Sequence, residues 1–168
     1  MNASNLSKTQ APIKDRYRED PSAAAITLHA DGQLGEGVTC SVQTGQALVR
    51  AGLHPGTGGD GRSACSGDML LQALVACAGV TLGSVATSIG LVVSGTVHAE
   101  GDLDWRGTLA VDKQAPVGFS EIRLRFEVES TATEQELATL LRLTERFCVV
   151  YQSLKSSPLL SASIGTRD

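Results

Sequence analysis

Four cysteines, Cys40, Cys65, Cys77 and Cys148, are the residues of this chain whose type alone offers nucleophilic and redox chemistry. Cysteine is also among the most buried residue types, so packing is the first reading of any one of them, and it stands for Cys40 and Cys65. Cys77 and Cys148 differ because each falls inside a helical pattern, on a face beside the core. Although 71 positions apart, two such thiols can meet in space. A thiolate that attacks a peroxide becomes a sulfenic acid, and a second thiol resolves it as a disulfide. The first thiol needs a depressed pKa, which a cation or a helix N-terminus normally supplies. Cys77 lies about two and a half turns inside its helix, so that helix's own end helps little and a cation from elsewhere is required.

Other chemistries have less behind them. No C-x-x-C or H-x-x-x-H occurs, and His29, His54 and His98 are scattered over strands and loop, so no metal is expected. A Cys–His hydrolase needs a partner imidazole, and His54 is the only one near the central helix in sequence. The glycine-rich run from Leu53 to Gly61 precedes a helix as phosphate-binding loops do. No Lys-Ser/Thr follows it and GxGxxG is absent, so it reads as a plain connection.

The element that must position Cys77 is the stretch from Ser66 to Ile89. Its residues are helix formers or small, with Ser66 or Asp68 as N-cap and Gly90 as stop. At about 100° per residue, Cys77, Thr81, Ser84 and Ser88 share one polar stripe. Ala76, Gly79 and Gly83 leave room for close approach of other backbone. Length and lack of charge also fit a membrane span, but Gln72, Thr81, Ser84, Thr87 and Ser88 lower its apolarity and flanking Lys/Arg anchors are missing nearby. A buried central helix is the reading adopted, with no membrane association.

The chain has 168 residues, enough for one domain with a real core. Residues 1–22 read as a polar N-terminal arm and 23–168 as the domain. A net charge of −4 and an aromatic content of 4% give no case for nucleic acid. Wide cysteine spacing and an N-terminus without an apolar signal core point to a cytoplasmic protein with reduced thiols.

Ala24–Ala30 and Gly37–Gln43 read as strands joined by a turn at Asp31–Gly35, with a third short strand at Ala47–Ala51. After Gly90, Val93–Ala99 reads as a strand whose hairpin partner is Leu103–Val111, turning at Gly101-Asp102. Phe119–Glu129 alternates most clearly, Ile122, Leu124, Phe126 and Val128 against charged neighbours. Thr133-Glu134-Gln135-Glu136 is a capping box opening a second helix, with Leu137, Leu141, Thr144 and Cys148 on one face. That helix runs to about Arg146, bends or restarts near Cys148 and ends by Pro158. Leu159–Ile164 closes as a last strand. The sum is an α+β fold, with antiparallel-rich sheets packed on two central helices.

The segment from Ser66 to Cys77, SGDMLLQALVAC, resembles the S-P-x-E-L-L-L-A-A-L-A-A-C segment of the OsmC/Ohr family, the osmotically inducible and organic hydroperoxide resistance proteins. The second segment, Glu145-Arg146-Phe147-Cys148-Val149-Val150, is similar to the family's E-R-x-C-P-V. The resemblance covers roughly Ala24 to Ile164. It implies an OsmC-like fold in an intertwined homodimer, and a thiol peroxidase that reduces organic hydroperoxides in oxidative stress. By position, Cys77 is then the peroxidatic and Cys148 the resolving thiol. Their disulfide is reduced by a lipoylated protein or a small thiol, and no metal or organic cofactor is implied.

Three departures from the family pattern bear on activity. The glutamate ten residues before the reactive cysteine is Gly67 here, with Asp68 adjacent, as in a family branch that carries its acid nine residues before. One residue rotates that acid by about 100° around a helix. The family's activating arginine comes from the first hairpin, and Ala24–Gln43 contains no arginine; Arg50, Arg62, Arg16 and Arg18 are the nearest substitutes. Val149 stands where the family has proline. The expected site is therefore Cys77 and Cys148 organised by Asp68 and by Arg50 or Arg62. The alternative is a non-catalytic dimer of the same fold that binds a small apolar ligand in its cleft.

Overall fold

The computed structural model describes residues 48–110 and 112–166 with their side chains, the backbone of strand residues 32–34, 39–44 and 47, and positions 4, 8, 11, 12 and 19. The expected strand at Ala24–Ala30 and most of the arm at 1–22 lie outside the described residues.

The first sheet has the order β1-β2-β3-β4, formed by β1 (Gly32–Leu34), β2 (Thr39–Thr44), β3 (Ala47–Gly52) and β4 (Ala64–Cys65). β2 and β3 are the strands expected at Gly37–Gln43 and Ala47–Ala51. β1 corrects the reading of Asp31–Gly35 as a turn, because Gly32 and Leu34 lie opposite Val42 and Cys40 in an antiparallel ladder. Three residues with one apolar side chain carry no alternation, so only the neighbouring strand identifies them. β4 pairs parallel to β3 through Ala51–Ala64 and Gly52–Cys65. Between them the glycine-rich loop makes one 3-10 turn, Pro55–Thr57, where His54 Nδ1 accepts from the Gly56 amide at 3.0 Å. The His54 ring stacks on Trp105 with centroids 5.1 Å apart.

The parallel bridge at Cys65 launches helix α1, Ser66–Ser88. Its N-cap is Cys65, with no side-chain cap, so neither Ser66 nor Asp68 holds that place; both are inside the helix, where the Asp68 charge still suits the dipole of the first turn. The stop is the one expected. Gly90 takes φ 78° and the Leu91 amide donates back to the Ala86 carbonyl at 2.9 Å, a Schellman arrangement that a side chain at Gly90 would strain.

α1 buries Leu74, Ala78, Val85 and Ala86. It packs on β5 (Ser94–Asp102) and on α3 (Glu134–Phe147), where Val85, Ala86 and Leu140 form a core flanked by Leu82, Val93 and Leu137. Of the small residues, Gly79 faces β5, where a Cβ would meet Val97 Cγ2 at 3.6 Å. Gly83 faces open space and Ala76 is exposed. The helix meets a membrane span's length and composition, but only 22% of its most apolar window is buried by the single chain.

β5 pairs antiparallel along its whole length with β6 (Glu121–Glu129), from Ser94–Glu129 to Asp102–Glu121. The expected hairpin partner at Leu103–Val111 is therefore corrected. Asp104 caps a short helix there, α2 (Trp105–Thr108), accepting from the Arg106 amide at 3.0 Å. Gly101 does not turn the chain. A Cβ on it would meet the Phe119 ring at 2.5 Å, so glycine lets that ring lie across the strand. β6 alternates in burial as its sequence does.

The capping box opens α3: Thr133 Oγ1 accepts from the Glu136 amide at 3.3 Å and the Glu136 carboxylate accepts from the Thr133 amide at 2.8 Å. Its buried face is Leu140, Thr144 and Cys148; Leu141, expected there, is 43% exposed. The 159–164 segment forms no strand in the single chain, and Leu159, Leu160 and Ile164 are fully or almost fully exposed.

Candidate functional site

α3 stops at Phe147 because Cys148 turns into extended backbone, φ −74° and ψ 111°. Its amide still donates to the Thr144 carbonyl at 3.0 Å, which keeps it in the core, and its side chain begins the next helix. Cys148 Sγ accepts from the Tyr151 amide at 3.5 Å, as the N-cap of α4 (Val149–Lys155). The residue is 0% exposed.

α4 packs on α1, and its first residues, Val149 and Val150, reach Cys77. Burial pushes the Cys77 thiol up, but hydrogen bonds outweigh it: the Val150 amide, the Cys148 thiol, the Val149 amide and the Thr81 hydroxyl all favour the thiolate and bring its pKa below the ordinary thiol value. The Thr81 proton is shared with the Cys77 carbonyl, to which it donates at 2.8 Å. Burial raises the pKa of Cys148, and although the Tyr151 amide works against this, the neighbouring Cys77 sulfur raises it further. One thiol is thus set to ionise and its hydrogen-bonded neighbour to keep its proton.

The two cysteines picked from the sequence are brought together. The charged residues expected around them lie elsewhere in the single chain. Asp68 is exposed on the first turn of α1, nine positions from Cys77, which is about 13 Å along the axis and half a turn round. Arg50 is exposed on β3 opposite Ser41. Arg62 is exposed in the connection before β4, its amide donating to Asp60 Oδ1 at 2.9 Å. Arg16, Arg18 and the side chains of the first hairpin lie outside the described residues. After burial, the influences on Cys77 are backbone amides, a thiol and a hydroxyl, with no charged side chain among them.

Sequence reading missed these amides. Val149, taken only as a departure from proline, contributes an N–H that proline lacks. Tyr151 was missed too, although its place three residues after Cys148 is the N-cap spacing. Its side chain helps wall a cavity of about 640 Å³ between α1, β6, α3 and α4, with Leu74, Ile122, Phe126, Leu154 and Lys155. The cavity lies one turn from the thiols on both helices, since Leu74 precedes Cys77 by three and Tyr151 follows Cys148 by three. Burial raises the Tyr151 pKa, and Glu145 beside it adds to that. Among the described residues, no three His, Cys, Asp or Glu side chains converge as a metal set.

The chain belongs to the OsmC-like protein family, whose model matches residues 59–162, both cysteines included. Its fold is the OsmC-like fold. It superposes on an OsmC-like protein from Mycoplasma pneumoniae with a TM-score of 0.66 at 16% identity, over 79% of this chain and 89% of that one. It also superposes on an organic hydroperoxide resistance protein OsmC from Legionella pneumophila, TM-score 0.54 at 16% identity, over 78% and 90%. A third is an organic hydroperoxide resistance protein from Elizabethkingia anophelis, TM-score 0.56 at 15% identity, over 79% and 91%. No curated protein matches in sequence.

Proposed function

We propose that this chain is a thiol peroxidase for organic hydroperoxides. The observation that carries the reading is the hydrogen-bonded pair Cys77–Cys148, with the first thiol's pKa lowered and the second's raised. The Cys77 thiolate attacks the distal oxygen of ROOH and breaks the O–O bond. With one proton, this leaves Cys77–SOH and ROH. The Cys148 thiol then attacks the sulfenic sulfur, forming the disulfide and releasing water. An external dithiol, small or lipoyl-bearing, returns both thiols, and no resident cofactor takes part. Asp68 and Arg50 or Arg62 enter as organising charges, to be tested by D68N, R50Q and R62Q against the ionisation of Cys77. The protein works as a cytoplasmic homodimer.

Intact mass after one equivalent of cumene hydroperoxide tests this. Loss of two hydrogens, mapped to a Cys77–Cys148 bridge and absent in C77S and C148S, is expected. An unchanged mass with both thiols free rejects it. The second reading, an apolar-ligand carrier, is favoured by the cavity beside the thiols and would then be pursued by ligand screening.

A further inference from the structure

We propose that the external thiol which reduces the Cys77–Cys148 disulfide attacks the sulfur of Cys77, and that Cys148 is the thiol that departs. The inference rests on the peroxidase reading, which supplies the disulfide, and it adds which of the two sulfurs the reductant meets.

Access separates them. Cys148 is 0% exposed through contacts of its own chain, so no further assembly can open it. Cys77 is partly exposed on its helix. Thiol–disulfide exchange needs the incoming sulfur to approach in line with the S–S bond, from behind the sulfur it attacks. Its own polypeptide closes round Cys148: the Tyr151 amide donates to Sγ at 3.5 Å, and the residue caps the first turn of α4. Cys77 offers a reductant exposed surface, and Cys148 offers none.

The chemistry balances in two steps. A reductant thiolate RS⁻ bonds to Cys77 Sγ and the S–S bond breaks towards Cys148, giving R–S–S–Cys77 and a Cys148 thiolate, which takes a proton from solvent. The reductant's second thiolate then attacks the R sulfur and expels the Cys77 thiolate among its donors. The reductant leaves as a disulfide, and two electrons have passed to the protein. Leaving-group strength pulls the other way, because the sulfur with the lower pKa departs more readily and that is Cys77. A weaker leaving group slows exchange by a graded factor, whereas a sulfur with no exposed surface meets no reductant. Access decides.

The test uses the full chain in its native state. The disulfide is made in parallel with cumene hydroperoxide and with diamide, exposed briefly to glutathione, quenched in acid, and alkylated with N-ethylmaleimide under denaturing conditions before peptide mapping. Glutathione on the Cys77 peptide with N-ethylmaleimide on Cys148, in at least about tenfold excess over the reverse, is the expected result. Glutathione on Cys148, or an even split, overturns the inference. A disulfide formed by diamide but not by hydroperoxide sinks the peroxidase reading alone, and the adduct position still decides the attacked sulfur. No disulfide with either oxidant overturns both.

Discussion

Cys148 Sγ accepts the Tyr151 amide hydrogen at 3.5 Å, so the thiol assigned to resolve the sulfenic acid is also the cap of the helix that follows it. The same sulfur gives its proton to Cys77. Serine keeps both roles, since a hydroxyl accepts from an amide and donates to a thiolate, and it is a strong N-cap. Alanine keeps neither. C148S should therefore melt within a degree or so of the native protein, whereas C148A should lose about 1 kcal/mol, a fall of about 2–4 °C in Tm. Differential scanning calorimetry of the two variants checks this, and equal losses would remove the capping role.

The depressed pKa of Cys77 sets a pH dependence. A group whose acid is strengthened in the folded chain is ionised above its folded pKa and loses its charge as pH falls through it. The rate of Cys77 alkylation by iodoacetamide should hold its plateau to a lower pH than a free thiol and then fall tenfold per unit. V149P removes one amide donor at a position that accepts proline: it is the first residue of α4, and Cys148 before it is already extended, φ −74° and ψ 111°. Losing one hydrogen bond that favours the thiolate should move the curve to higher pH. Stopped-flow alkylation from acid to alkaline pH reads it. An unmoved midpoint would mean that Val149 does not reach the sulfur.

Much of this was open to sequence. The helix from Ser66, its stop at Gly90, the capping box at Thr133–Glu136 and the alternation of β6 are local signals, each fixed by neighbours within one turn or one strand. Cys77 and Cys148 stand out by their place in helical patterns, and the segments around them carry the family's pattern. What failed depended on partners distant in sequence. Leu103–Val111 has strand-like residues, but β5 already had a nine-residue partner in β6. β1 exists only through its ladder to β2. The donors to Cys77 are backbone amides, which every residue type carries and no composition marks.

The β5–β6 pair should be intolerant of any side chain at Gly95 or Gly101. Gly95 has φ 137°, and a Cβ there would run into the Glu127 carbonyl; at Gly101 it would strike the Phe119 ring. G101A can be accommodated by swinging the ring aside, at about 1–3 kcal/mol. G95A must break ladder pairing and should cost more. Urea unfolding monitored by circular dichroism ranks the two, and G95A proving the milder would contradict the register.

The dimer is the remaining expectation, and the single chain gives physical reasons for it. α1 is the most apolar element, yet only 22% of its apolar window is covered, and Val80 on it is 75% exposed. Gly83 faces open space on the same helix, and Leu159 and Ile164 are fully exposed. Exposed apolar surface on a central helix suits an interface, and a second copy supplies a matching face by symmetry. Sedimentation velocity should find a dimer at micromolar concentration. V80E, a charge placed on the uncovered helix face, should shift it towards monomer while leaving the buried residues of α1 and α3 in place. A native chain that sediments as a stable monomer at that concentration would overturn the dimer and leave the exposure of α1 to another partner.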